Sequence, residues 1–207
     1  NLMELAIVLA VVTILGVIIF SVLPKAKAKA SLVKCRNQLK STALAFKMFA
    51  GDSDGLFPFA VTNSPAYQDS SNAWTHFQTI SNELGGTKIL ICPADVARLK
   101  TGATSFTARP DGLVTLQNKA VSFFVNVDAN ETNASMVLIG DRNILAGNKQ
   151  VTSNTQLSPL GTAMLQWGTD IHGSIGNVAL CDGSVQSGVA SASVWMNHTN
   201  QSRLAIP

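Results

Sequence analysis

The chain opens on an unbroken apolar run. From Leu5 to Leu23 no residue carries a charge, and at about 1.5 Å rise per residue these positions make about 28 Å of helix, close to the depth of a bilayer's hydrocarbon core. Gly16 and Pro24 bracket its last, β-branched part. Pro24 has no N–H for the carbonyl four residues back, so Gly16 to Pro24 is either a simple kink or a stretch that unwinds when the segment changes surroundings. Beyond Pro24 the pattern turns amphipathic: Leu32, Cys35, Leu39, Ala43, Phe46 and Phe49 recur at three- and four-residue steps, with Lys34, Gln38, Ser41 and Lys47 mostly elsewhere. The helix breakers Gly51-Asp52-Ser53-Asp54-Gly55 end it. The spacing therefore predicts one helix from about Leu2 to Ala50, roughly 72 Å long if straight. Residues 1–24 form its apolar half and residues 25–50 its amphipathic half.

Residues 51–207 read as one head domain of short segments punctuated by Pro, Gly, Asn and Ser. Trp74, Phe77, Ile80 and Leu84 have helical spacing, with Ser70 to Asn72 offering N-caps and Gly85-Gly86 a stop. Strands are predicted at Lys88–Cys92, Ala120–Val127, Ser135–Gly140, Asn177–Cys181 and Ser184–Val189. Asp182-Gly183 between the last two predicts a hairpin with a two-residue type I′ turn. The fold class expected is α+β: a long helix whose amphipathic half packs on a small antiparallel sheet, giving a lollipop outline.

Composition sharpens the first half of this picture. The 207 residues are 46% hydrophobic and only 13% charged, too apolar for disorder and too poor in charge for an ordinary soluble surface. A secretory signal peptide begins basic and ends at a small-residue cleavage site; this segment does neither, which favours a retained membrane helix. Residues 1–47 carry seven basic side chains against Glu4 alone, net +6, while residues 48–207 hold eight basic and eleven acidic ones, net −3. The basic excess is thus a juxtamembrane collar suited to phospholipid headgroups rather than a nucleic-acid surface. Glu4 stands at the lip of the uncharged span. Buried without a partner it would cost several kcal/mol, so it either pairs with an N-terminal amine, its own or a neighbouring subunit's, or sits in the headgroup layer.

Candidate chemistry in the head is sparse. Asp52-Ser53-Asp54-Gly55 opens like a calcium loop without the closing bidentate Glu, leaving either a Ca2+ site on Asp52 and Asp54 or a helix-terminating turn whose Asp side chains bond backbone amides. His172 and Asp182 are compatible with an acid–base pair, but the structural reading is favoured: His172 bonding loop backbone before the hairpin, Asp182 capping its turn and Gly183 supplying conformation. No Ser lies in a nucleophile elbow, and no enzyme is expected. Asn130-Glu131-Thr132, Asn133-Ala134-Ser135 and Asn197-His198-Thr199 match the N-glycosylation triplet, a pattern frequent by chance.

Two motifs carry a resemblance. Asn1-Leu2-Met3-Glu4-Leu5-Ala6-Ile7-Val8 and the aliphatic residues after it resemble the start of mature type IV pilins and type II secretion pseudopilins. In that family an N-methylated Phe exposed by prepilin peptidase precedes the position of Asn1. His172-Gly173-Ser174-Ile175-Gly176-Asn177-Val178-Ala179-Leu180-Cys181-Asp182-Gly183 resembles the H-x9-DG signature of one prepilin-type subfamily. Lys34 to Lys40, Asp52 to Pro58 and Ile91 to Asp95 are similar to it as well. The resemblance implies a non-enzymatic structural subunit that polymerises with copies of itself, with Glu4 and Leu5 at the subunit contact and Gly16 to Pro24 as the part that unwinds. It implies prepilin peptidase and a pilus or secretion assembly machinery as partners, and the inner membrane before assembly. It also implies an extracellular or periplasmic filament afterwards. A disulfide is expected between Cys35 and Cys92, both in subfamily-like segments, with Cys181 a buried small hydrophobe; Cys92 with Cys181 is the alternative. No cofactor other than calcium is expected. A membrane-anchored monomeric binding module is the reading from a different class.

Overall fold

The computed structural model describes residues 2–147, 149–151, 156–157, 165–188 and 202–207. Helix α1 runs without a break from Leu2 to Gly51. Its C-terminal half buries Cys35, Gln38, Leu39, Thr42, Ala43, Ala45, Phe46 and Ala50, the three- and four-residue periodicity legible in the sequence. The chain reverses later than Gly51. The Gly55 N–H donates to the Ala50 carbonyl across 2.8 Å, and Asp54 and Gly55 both take positive φ, 54° and 75°, a left-handed C-cap that ties off the last turn.

Short helices follow on the same side of the head: α2 (Pro65–Gln68), α3 (Ala73–Thr79), α4 (Val96–Leu99) and α5 (Leu113–Leu116), with 3-10 turns at Thr87–Leu90 and Gln117–Ala120. Asn72 is the N-cap of α3 as its position suggests, but its side chain does not bond the helix; it donates to Asp69 and accepts from Asn118. Phe77 and Phe57 stack edge-on around Phe46 of α1, at centroid distances of 6.0 and 6.3 Å.

Among the described residues nine strands follow: β1 (Phe123–Asn126), β2 (Val137–Asp141), β3 (Ile144–Ala146), β4 (Lys149–Gln150), β5 (Gln156–Leu157), β6 (Leu165–Trp167), β7 (Gly176–Leu180), β8 (Val185–Gly188) and β9 (Ser202–Ala205). Six form one antiparallel sheet in the order β5-β9-β1-β2-β7-β8, and β4-β3-β6 form a second. Alternation assigns the faces, except in β2, where the register shifts between Val137 and Ile139. Phe123, Val125, Ile139 and Ala179 join the core under α1, whereas Phe124, Val137, Val178 and Leu204 join a second core with Ile144, Leu165 and Trp167 of the smaller sheet. The head is thus helix on sheet on sheet. The architecture is the α+β lollipop expected, with a third layer that the sequence did not announce. Gly176 permits that layer, because any Cβ there would run into the Trp167 indole.

Two predicted details are corrected. Lys88–Cys92 is not a strand: Thr87–Leu90 winds into a 3-10 turn that drops Thr87 and Leu90 into the core and packs against α1 rather than pairing with a strand among the described residues. The β7–β8 connection is not a two-residue type I′ turn. Leu180 pairs with Ser184 around Cys181-Asp182-Gly183, the Gly183 N–H returns to the Leu180 carbonyl, and of these loop residues Gly183 alone has positive φ, 85°. That is a three-residue hairpin loop closed by a glycine bulge. Val189, His198 and the Asn197 triplet lie outside the described residues.

Candidate functional site

Two regions hold the residues singled out by sequence. The first is the apolar half of α1. Every residue from Leu2 to Ala30 is solvent-exposed except half-buried Gly16, including Leu5 at 62% and Phe20 at 79%. Glu4 lies in the first turn. Gly16 and Pro24 sit within continuous helix; no unwinding is present in this state. Thr13 and Ser21 fold their hydroxyls back onto Ala10 and Ile18 carbonyls, at 2.8 Å each, so their polar groups are satisfied within the helix. The span is long and apolar enough to cross a membrane, a test that a core helix or an N-terminal signal sequence also passes.

The second region is where α1 enters the head. Three segments far apart in the chain meet there: Cys35 on α1, Cys92 after the first 3-10 turn, and His172 before β7. Their sulfur and nitrogen atoms all lie within 4.8 Å of one another. Cys92 Sγ is 3.1 Å from His172 Nε2, and the Cys35 thiol donates to Asp141 Oδ1 across 3.3 Å. In place of the expected Cys35–Cys92 bond both residues are free thiols, each turned to a polar partner, and Cys181 is also free. Cys181 is buried at the head of the hairpin loop and does not belong to the cluster. His172 is corrected likewise: it meets a thiol rather than bonding loop backbone alone.

Neighbouring side chains hold this cluster in place. Asp141 ends β2 and is fully buried; its Oδ2 accepts from both the backbone N–H and the side-chain amide of Asn177, at 2.9 and 2.7 Å. Next to it Arg142 turns the other way and grips Asp95 through two 2.8 Å bonds, while Ser122 donates to the same carboxylate. Cys92 and Asp95 are the two ends of one turn, closed by Asp95 N–H to the Cys92 carbonyl at 3.0 Å. The adjacent pair Asp141 and Arg142 therefore ties the end of β2 to α1 at Cys35 and to the far end of that turn at Asp95.

The electrostatics follow from this packing. The contact with Cys92, then burial, suppresses ionisation of Cys35. The adjacent Cys35 thiol, then His172, favour ionisation of Cys92 against burial. Burial, then the Cys92 charge, pushes Asp141 up to about 7. Burial opposes protonation of His172, but Cys92 and Asp141 outweigh it and hold the imidazole above its ordinary range.

The remaining residues fall elsewhere. Asp182 caps its own turn, with Oδ1 accepting from the Ser184 N–H at 2.7 Å; the Ser184 side chain, then this N–H, hold its carboxyl below the usual range. Lys47 donates to the Cys181 carbonyl at 3.3 Å and packs against Gly183, so the Asp182-Gly183 corner braces α1. Asp52 and Asp54 are exposed, and the acid, cysteine and histidine groupings among the described residues do not include them. Asp141 and Arg142 are the contributors that sequence reading missed. Their signal was a charged pair at the end of an apolar strand, Val137-Leu138-Ile139-Gly140-Asp141-Arg142. Compared with protein-family models, curated proteins and solved structures, the chain finds no match.

Proposed function

We propose that this chain is the structural subunit of a type IV pilus-like helical filament. On this reading prepilin peptidase processes it, the inner membrane holds it by the apolar half of α1, and an assembly machinery then polymerises it into an extracellular or periplasmic fibre. The observation that carries the proposal is the bare apolar helix. Leu2 to Leu23 project from the head with their aliphatic side chains exposed, and outside lipid such a surface is stable only when other helices cover it. At about 25 cal/mol per Å², burying some 20 aliphatic side chains amounts to tens of kcal/mol before entropy. Parallel helices staggered along an axis bury this surface through heterologous contacts that do not close, and so make a polymer. The first-turn acid Glu4, as in the pilins it resembles, sets the axial step by meeting the neighbour's N-terminal amine. The reading assigns no catalytic role to any residue.

Glu4→Ala tests it. In cells expressing the full chain, the variant is expected to accumulate in the membrane fraction and to disappear from sheared surface filaments. Equal recovery of wild type and variant in the sheared fraction would contradict the role of Glu4. Wild type found only as a membrane monomer would replace the filament reading with an anchored binding module. A filament too short to shear would point to a secretion pseudopilus.

A further inference from the structure

We propose that Cys35, Cys92 and His172 form a binding site for one borderline-soft divalent metal ion of the zinc type. Two sulfurs and an imidazole nitrogen, all within 4.8 Å of one another, have the spacing that ligands adopt around a tetrahedral ion with metal–sulfur bonds of about 2.3 Å and metal–nitrogen bonds of about 2.0 Å. The donor set selects the metal: thiolate with imidazole favours zinc over calcium or magnesium, which take oxygen ligands. The charges agree as well. Binding releases two protons from the cluster to solvent, and two thiolates with a neutral imidazole cancel the charge of a divalent ion, so the buried cluster gains no net charge. Asp141 Oδ1 lies beside the set, 3.3 Å from Cys35 Sγ, and the two bonds from Asn177 orient that carboxylate from behind.

The placement gives the ion a task. Its ligands come from α1, from the turn at Cys92 and from the loop before β7, so it would fasten the head to the long helix where α1 leaves the domain. A groove of about 580 Å³, lined by Pro24, Lys27, Pro93, Ile171, His172 and Ile175, opens on the His172 side of the cluster. The inference does not depend on whether the chain polymerises.

The test is elemental analysis of the full chain, untagged and purified in detergent without chelator, with intact mass measured without reductant on the same sample. About one zinc per chain is expected. Cys35→Ser and His172→Ala should lose it, and His172→Cys, which restores a third soft ligand, should keep it. Circular dichroism of each variant separates loss of metal from loss of fold, and adding zinc to chelator-stripped wild type should raise Tm. A mass about 2 Da below that of the reduced chain, with no metal, would overturn the proposal in favour of a Cys35–Cys92 disulfide. Two free thiols that remain metal-free after zinc is added would overturn it as well.

Discussion

Asp95 is 1% exposed, and its charge is held by the two bonds from Arg142, itself 7% exposed. Removing one member of such a buried pair leaves the other's charge uncompensated, at about 3–5 kcal/mol. Asp95→Asn is therefore expected to lower the unfolding free energy of the full chain in detergent, read from urea titration, by that amount, and Asp95→Asn with Arg142→Met to recover most of it. A single variant as stable as wild type would show that the pair does not hold the turn. His76 gives a second residue-level prediction. Burial lowers it to about 4 against weaker support from the Ser70 carbonyl, 3.1 Å from Nε2, and the Asp69 charge. The unfolded chain then binds the extra proton first, near pH 6.5. The stability this group contributes is full above that pH and is lost as pH falls towards 4, a swing of about 3 kcal/mol. Subtracting the pH–stability curve of His76→Gln from that of wild type isolates it from other titrating groups, Asp141 included. A flat difference curve would contradict the assignment. Neither role was legible in sequence. Ile91 to Asp95 stood out only as a resemblance, because burial of a charge depends on partners 47 residues away.

At the scale of elements, legibility follows the range of the interaction. Helix α1 was readable nearly to its last turn because its apolar stripe repeats locally from Leu32 to Phe49. The β7–β8 hairpin was readable in place because Asp182-Gly183 marks its corner, yet the loop type, and with it the register by one residue, was not, since Asp-Gly suits both a type I′ turn and a three-residue loop with a glycine bulge. Lys88–Cys92 misled for a different reason. Its apolar run meets the strand pattern, but being a strand requires a partner, and the fold puts α1 there instead. The small sheet of β3, β4 and β6 was hidden by strands of two or three residues, too short to show alternation. Pro24 carries the element-scale prediction. It leaves the Phe20 carbonyl without its helical donor at a cost of about 3 kcal/mol relative to a good helix former. Pro24→Ala in detergent micelles is expected to slow hydrogen exchange from Gly16 to Ala28 and leave the head unchanged. Exchange no slower than in wild type would mean that Pro24 is not the weak point of α1.

For the whole molecule, the division of labour lies along α1. One half buries its stripe in a head with two cores, so the domain is held together without help from the apolar span. The other half is exposed along its length and keeps its aliphatic surface for lipid or for other copies of itself. The cluster of Cys35, Cys92 and His172 sits at the junction, where a pull on the helix would be transmitted to the head. Cryo-electron microscopy of filaments sheared from cells expressing the chain tests the central claim most directly. The account predicts a helical core into which residues 1–50 fit, heads outside, and Glu4 beside a neighbour's N-terminus. Recovery of the chain only as membrane-bound monomers, with no filament containing it, would contradict it.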